Sequence, residues 1–167
     1  MWTELHWING PWPGRLAVAA RPRGGDWLAD EIAGWKRQGV GAVLSLLTSQ
    51  EEKDLDLAEE GRIAKSQGML FESFPIPDLQ VPSSESKLAA ALEQASNTLA
   101  GGTNLVIHCR QGIGRSGLVA ACLLATKGLS PGAAIDAVSA ARGVLVPETS
   151  EQREWIDRFA AAFANAR

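Results

Sequence analysis

One stretch decides the fold, and it reads Ile107-His108-Cys109-Arg110-Gln111-Gly112-Ile113-Gly114-Arg115-Ser116-Gly117. It joins a predicted strand over residues 104–108 to an apolar predicted helix over residues 118–127. Ligands of open α/β sheets bind beyond the carboxyl ends of strands. A helix that begins there offers unpaired N–H groups and the positive end of its dipole to an anion. The two glycines, Gly112 and Gly114, allow the loop to curl and turn its amides inward, so the stretch predicts an anion site.

Two side chains in this loop predict chemistry on a phosphate. Cys109 stands where helix ends and cationic neighbours favour the reactive thiolate form of cysteine. Arg115 follows six positions later, so a curled loop can place its guanidinium over a bound phosphate and bind two oxygens at once. We therefore predict that Cys109 attacks phosphorus while the loop holds the phosphate. The predicted phosphate-binding residues are Arg110, Gln111, Gly112, Ile113, Gly114 and Arg115.

The pattern His108-Cys109-x5-Arg115-Ser116, with its glycines, resembles the signature of the cysteine-based protein tyrosine phosphatase superfamily. The residues that follow, 117–124 and 130–136, are similar to the kinase-associated phosphatase branch of the dual-specificity group. This resemblance implies an α/β fold with one central, mostly parallel sheet flanked by helices. It also implies a two-step reaction through a phosphocysteine, without a metal or another cofactor. The cyclin-kinase partner of that branch is not expected here, because no partner-binding motif is evident.

The first step of such a reaction needs an acid for the leaving oxygen, and the second needs a base for water. Asp78, in Phe74-Pro75-Ile76-Pro77-Asp78-Leu79, resembles the general acid of the family on its mobile loop. The alternative is a solvated aspartate that forms a turn. Asp54 and Asp56 are weaker candidates, because they belong to an acidic predicted helix.

Three further residues are expected to support the site. The resemblance implies that Ser116 donates a hydrogen bond to the sulfur of Cys109 and that His108 fixes the Cys109 backbone. Gln152 resembles a glutamine that positions water in related enzymes, but Thr149-x-x-Gln152 is equally typical of a capping box. Simple turn, core and capping roles remain possible for these three residues.

Alternating strands and helices predict an α/β sheet covered by helices. Strands are predicted over residues 2–8, 15–19, 40–47, 69–74 and 104–108, and helices over 27–38, 49–60, 84–100, 118–127, 131–142 and from 150 onward. Asp26 is expected to cap the first helix, and Ser49 with Glu52 to form a capping box for the second.

Arg21 and Arg23 follow the predicted strand over residues 15–19. If that strand runs parallel to the one that ends in Cys109, both arginines reach the rim of the site and attract an anionic substrate. The alternative is an ordinary basic surface loop.

Composition limits the class of protein and its partners. The 167 residues carry a net charge of −3 and are 46% hydrophobic, which favours one soluble domain over residues 1–167. No bulk attraction to nucleic acid or to a membrane is expected. The N-terminus lacks the features of a signal peptide, and the longest apolar run, Leu118 to Ala125, is far below the ~20 residues of a membrane span. Two cysteines, Cys109 and Cys122, favour a reducing compartment, so we expect a cytoplasmic protein with Cys122 in the core.

The predicted function is hydrolysis of phosphomonoesters, foremost phosphotyrosine in proteins and also phosphoserine or phosphothreonine. A phosphoinositide or inositol phosphate substrate is a second hypothesis, which the basic Arg110 favours and the apolar Ile113 disfavours. A phosphate-binding module without turnover, or an enzyme of sulfur transfer or arsenate reduction, would also place a cysteine in an anion-binding loop. The sequence leaves open the oligomeric state and the role of the tryptophan-rich N-terminus.

Overall fold

The computed structural model describes residues 3–166 and is built on a five-stranded sheet. The strands are β1 (His6–Ile8), β2 (Leu16–Ala20), β3 (Val40–Ser45), β4 (Leu70–Ser73) and β5 (Asn104–Cys109). Their order across the sheet is β1-β2-β5-β3-β4, with β1 antiparallel to β2 and all other neighbours parallel. The predicted α/β architecture with a mostly parallel sheet is therefore confirmed.

Helices cover both faces of this sheet. They are α1 (Leu28–Arg37), α2 (Ser49–Asp54), α3 (Glu60–Ser66), α4 (Glu85–Ala100), α5 (Gly114–Ala125), α6 (Pro131–Arg142) and α7 (Ser150–Asn165). Side chains alternate along β2, so Leu16 and Val18 pack towards α4–α7 while Ala17 and Ala19 pack towards α1 and α3. The helix that follows the decisive loop, α5, is buried from Gly114 to Leu124. It is enclosed because its residues are apolar on every side.

Several helix starts are predicted correctly because the capping residue is local information. Ser84 and Ser130 cap α4 and α6, and Thr149 with Gln152 forms the predicted capping box of α7. No helix within residues 3–166 is both long enough and apolar enough to span a membrane.

Other boundaries differ from the predictions. Asp26 lies in a short 3₁₀ turn, Gly25–Trp27, and makes no cap, so α1 starts at Leu28. The first predicted strand shortens to His6–Ile8, and Trp2 at its start lies outside the described residues.

The capping box at the second predicted helix is formed one residue earlier than expected. Thr48 and Glu51 form it, and not Ser49 and Glu52. The helix also ends at Asp54, because Asp56 adopts a left-handed backbone with φ 59° that an α-helix cannot contain. The chain turns there and begins α3 at Glu60.

Candidate active site

The loop between β5 and α5 is held in a fixed curl by its neighbours. Gly112 has φ 74°, and a Cβ atom there would lie 2.5 Å from the Ala19 carbonyl carbon, so only glycine fits. Arg142 donates from Nε to the Gly112 carbonyl (3.1 Å) and from a terminal nitrogen to the Gln111 carbonyl (3.2 Å). These contacts hold two carbonyl oxygens of the loop on the side of Arg142.

Most amides of the loop are unoccupied. Gly112 N–H points to Cys109 Sγ at 3.3 Å, and Gly114 N–H donates to Glu148 Oε1 at 3.1 Å. Five further amides have no acceptor within residues 3–166, namely those of Arg110, Gln111, Ile113, Arg115 and Ser116. Clustered free N–H groups at a helix N-terminus bind phosphate and other oxyanions. The loop therefore has the donors for a phosphate, while the amide of Gly114, also predicted to contact it, is engaged by Glu148.

Cys109 lies at the base of this curl. It is 2% exposed, and its sulfur lies 3.3 Å from Ser116 Oγ as well as from Gly112 N. The Gly112 N–H donates to the sulfur, and the hydroxyl of Ser116 is within hydrogen-bonding distance of it. Cys122 is different: it is fully buried in the core as predicted, and burial raises the pKa of its thiol.

Arg115 is almost completely buried and its guanidinium is held on several sides. Its two terminal nitrogens donate to the Glu51 carboxylate at 2.7 and 2.9 Å, and one also donates to the Ile76 carbonyl at 2.8 Å. Burial raises the pKa of Glu51, but hydrogen bonds from Arg115 and Thr48 outweigh it and leave that pKa below its ordinary value. This fork-to-fork pair fixes the plane of the guanidinium before any substrate arrives.

Asp78 is the acidic candidate that the structure brings to this guanidinium. Its Oδ1 lies 3.0 Å from the second terminal nitrogen of Arg115, and its side chain is 49% exposed. Of the weaker candidates, Asp54 accepts a hydrogen bond from Gln50 on an exposed face of α2, and Asp56 packs beside Gly25. Asp78 therefore combines proximity to Arg115 with access to solvent.

Comparison with known proteins gives a consistent family. The family described as "Polymorphic toxin system, DSP-PTPase phosphatase" matches residues 17–129. The chain belongs to this dual-specificity phosphatase family. A curated relative, cyclin-dependent kinase inhibitor 3 of Rattus norvegicus, is 30% identical over 137 residues, which are 79% of this chain and 64% of the rat protein. The chain thus spans less than two thirds of that relative's length.

Solved structures agree on the fold. A kinase associated phosphatase whose catalytic cysteine is replaced by serine superposes with a TM-score of 0.86 at 22% identity, over 98% of this chain and 97% of that one. The active form of Tk-PTP superposes with a TM-score of 0.78 at 28% identity, over 96% of this chain and 99% of that one. The resemblance inferred from residues 107–117 and the sequence after them is therefore confirmed.

Behind Cys109, the fold buries a histidine–glutamate pair. His108 Nε2 lies 2.6 Å from Glu60 Oε1 and Nδ1 lies 3.4 Å from the Cys109 carbonyl oxygen, with His108 0% and Glu60 2% exposed. Both ring nitrogens face oxygen atoms, so the His108 ring is held between the Glu60 carboxyl group and the backbone carbonyl of Cys109. The ring therefore lies where the resemblance implies that it fixes the Cys109 backbone.

We expect Glu60→Ala to lower the free energy of unfolding by about 3–5 kcal/mol, because it leaves a buried imidazole nitrogen without a partner. Glu60→Gln retains a hydrogen-bonding side chain of the same size and should cost less than half as much. Urea denaturation of both variants measures the difference. Two variants within about 1 kcal/mol of the unmodified protein would mean that the pair does not stabilise the fold.

Gln152 connects two loops of the structure. It is fully buried, its Oε1 accepts from the amides of Glu148 and Thr149, and its Nε2 donates to the Gln80 carbonyl at 3.1 Å. The capping prediction is thereby confirmed, and its contact with Gln80 places Gln152 beside the loop that carries Asp78. A role in positioning water stays a prediction.

Sequence reasoning missed four residues of the site: Glu51, Glu60, Arg142 and Glu148. Glu51 carried a local signal, since Thr48-x-x-Glu51 fits the capping-box pattern as well as Ser49-x-x-Glu52 does. The remaining three reach the site by tertiary contacts, across 48, 30 and 34 residues of chain. No local pattern identifies them.

Proposed function

We propose that this protein hydrolyses phosphomonoesters on proteins, at phosphotyrosine and at phosphoserine or phosphothreonine, through a phosphocysteine intermediate. One observation carries the proposal: Cys109 Sγ lies at the base of a loop with five free amides, and that loop continues into the buried Arg115. The family that matches residues 17–129, described as a DSP-PTPase phosphatase, and the similar structure of Tk-PTP support a protein phosphatase.

In the proposed first step, the Cys109 thiolate attacks phosphorus and forms an S–P bond while the bond from phosphorus to the ester oxygen breaks. The free amides and Arg115 stabilise the charge on the equatorial oxygens. In the free protein Asp78 Oδ1 lies 3.0 Å from a terminal nitrogen of Arg115, and the incoming phosphate takes over this contact. The released, exposed carboxyl group takes up a proton from solvent and then gives that proton to the leaving oxygen.

In the second step, water attacks phosphorus on the phosphocysteine and the S–P bond breaks. Asp78, now a carboxylate, accepts the proton of that water. Ser116, whose Oγ lies 3.3 Å from the sulfur, donates a hydrogen bond to the departing thiolate. The products are inorganic phosphate and the free enzyme.

Two features of the site favour this function over the competing hypotheses. A phosphate-binding module without turnover would have lost the nucleophile or the acid, but Cys109, Arg115 and Asp78 are all in place. Sulfur transfer or arsenate reduction has no use for the hydroxyl of Ser116 against the sulfur or for an acid on the neighbouring loop. A phosphoinositide substrate uses the same catalytic groups and is decided by the assay below. We place the activity in the cytoplasm, where thiols stay reduced.

The purified protein should release phosphate from phosphotyrosine and phosphothreonine peptides faster than from short-chain phosphoinositides. Activity should persist in a strong chelator and be blocked by vanadate, which adopts the five-coordinate geometry of phosphorus in the transition state. Loss of activity to the chelator, with recovery on adding a divalent metal, would contradict the mechanism. A higher kcat/KM for phosphoinositides than for every peptide would replace the proposed substrate class.

Asp78→Asn should damage poor leaving groups most, because the acid neutralises charge on the departing oxygen. We expect a single-turnover loss of about 10²–10⁴-fold for a phosphothreonine peptide. The loss should be smaller for phosphotyrosine and smallest for p-nitrophenyl phosphate, whose leaving group departs without a proton. Single-turnover cleavage is the quantity to measure, since slow phosphoenzyme breakdown would hide the ranking.

The matched control is Asp54→Asn, which removes the same charge from an exposed face of α2. It should leave the leaving-group ranking unchanged. An equal loss for all leaving groups in Asp78→Asn would give Asp78 a structural role, and the acid would then be sought at Asp54 or Asp56.

A further inference from the structure

Two arginines lie side by side where β2 and β5 end. The strands are parallel, with Ala20 in register with Cys109, so Arg21 and Arg110 are the next residues of each strand. The Arg21 N–H donates to the Arg110 carbonyl at 3.3 Å, which continues the ladder by one step. The condition set by the sequence for Arg21, a strand parallel to that of the nucleophile, is therefore met.

Neither guanidinium forms an ion pair with another of the described residues. Arg110 is exposed, and no carboxylate within residues 3–166 lies at ion-pair distance from Arg21 or Arg110. Among the residues that the structure describes, the Arg21 guanidinium donates only to the carbonyl of the adjacent Pro22, at 3.2 Å. By contrast, Arg23 is paired with the buried Glu31 at 2.5 Å and stacks on Trp27, so it has a structural partner.

The two arginines lie at the edge of the loop that we propose binds the phosphate. Arg110 directly follows the nucleophile, and its own amide is one of the free donors of the loop. Its side chain and that of Arg21 therefore start at the rim of the anion site, in a chain whose net charge is −3. The two arginines therefore give the rim of the site a local positive charge, although the net charge of the protein is negative.

We propose that Arg21 and Arg110 form a second anion subsite, which binds an acidic side chain of the substrate next to the phosphorylated residue. This inference rests on the proposed protein phosphatase function and adds the substrate class. Guanidinium groups bind carboxylates with two parallel hydrogen bonds. An extended peptide advances about 3.3 Å per residue, so the acidic group belongs one or two residues from the phosphorylated one.

The test compares two phosphotyrosine peptides that differ only in having glutamate or glutamine at the flanking positions. The unmodified protein should prefer the glutamate peptide roughly 5-fold in kcat/KM, since exposed charge pairs contribute modestly each. The preference should reside in KM, because a contact remote from phosphorus is equally strong before and during the reaction. It should shrink at high salt.

Arg21→Gln should reduce this preference and Arg21→Gln with Arg110→Gln should bring it close to one. Arg62→Gln is the matched control: it removes the same charge from an exposed arginine of α3 that pairs with Glu59 on the surface. A loss of preference in Arg62→Gln equal to that in Arg21→Gln would attribute the effect to net charge and overturn the subsite.

The outcomes separate the two proposals. If the unmodified protein hydrolyses neither peptide, the proposed function fails and the subsite with it. If it hydrolyses both peptides with equal kcat/KM, the function stands and the subsite is wrong. A further experiment compares the hydrolysis of soluble inositol phospholipids that carry one and two phosphates. If Arg21→Gln changes kcat/KM for these lipids and not for the peptides, the peptide subsite is wrong.

Discussion

Cys109→Ser is expected to lower the rate of phosphate release by at least about 10⁴-fold, the scale of loss when a covalent nucleophile is removed. Serine at this position is a hydroxyl that stays protonated near neutral pH and is a far weaker nucleophile than a cysteine sulfur. Binding of phosphate should survive, because the five free amides and Arg115 do not depend on the sulfur. Steady-state release of phosphate, together with calorimetric titration of vanadate or phosphate, measures the two effects separately.

The phosphoenzyme gives a direct readout of the same prediction. Rapid quenching with a phosphopeptide should trap a phosphorylated Cys109 in the unmodified protein and none in Cys109→Ser, as seen by mass spectrometry. Cys122→Ala is the matched control, since Cys122 is a buried core residue whose raised pKa keeps it a thiol. Substantial turnover in Cys109→Ser, or a phosphate trapped on another residue, would contradict the nucleophile assignment.

The reacting loop was predictable because its information is local. Glycine at position 112 is needed for a positive φ and for close contact with Ala19, and the sequence shows the glycine directly. The caps at Ser84, Ser130 and Thr149 depend on residues three positions apart, so they too could be inferred. Apolar runs of strand length alternating with helices predicted an α/β sheet covered by helices, and that inference needs no knowledge of strand order. The mostly parallel arrangement was implied by the family resemblance.

The support of the loop was not predictable, because it comes from distant parts of the chain. Glu51 binds Arg115, which lies 64 residues away in the chain. The sequence fits two overlapping capping boxes, Thr48 with Glu51 and Ser49 with Glu52, and it does not show that the first one forms. The left-handed turn at Asp56 ends α2 and lets α3 begin with Glu60, which reaches His108. This turn divides the single helix expected over residues 49–60 into two helices. The residue in the left-handed conformation is an aspartate and not a glycine, so the sequence does not indicate the turn.

Arg115→Lys keeps the charge of the site, yet we expect it to lower kcat/KM by at least about 100-fold. The guanidinium is held by both oxygens of Glu51 and by the Ile76 carbonyl, at 2.7–2.9 Å, and this fixes the plane that it presents to the phosphate. An ammonium group makes no planar, two-pronged contact, so it cannot satisfy Glu51 and bind two equatorial oxygens together. The expected loss is that of one preorganised donor to a developing oxyanion.

The lysine variant should lose affinity for vanadate along with kcat/KM, because vanadate resembles the transition state that Arg115 is proposed to bind. Arg62→Lys is the matched control, since Arg62 lies exposed on α3 and its surface pair with Glu59 should tolerate the change. The unfolding free energy of Arg115→Lys must be measured as well. A lysine cannot replace both of the hydrogen bonds that the Glu51 carboxylate accepts from Arg115, so the variant is also expected to be less stable. A folded lysine variant with near-normal kcat/KM would show that Arg115 does not lie over the phosphate and that its role is to hold Glu51.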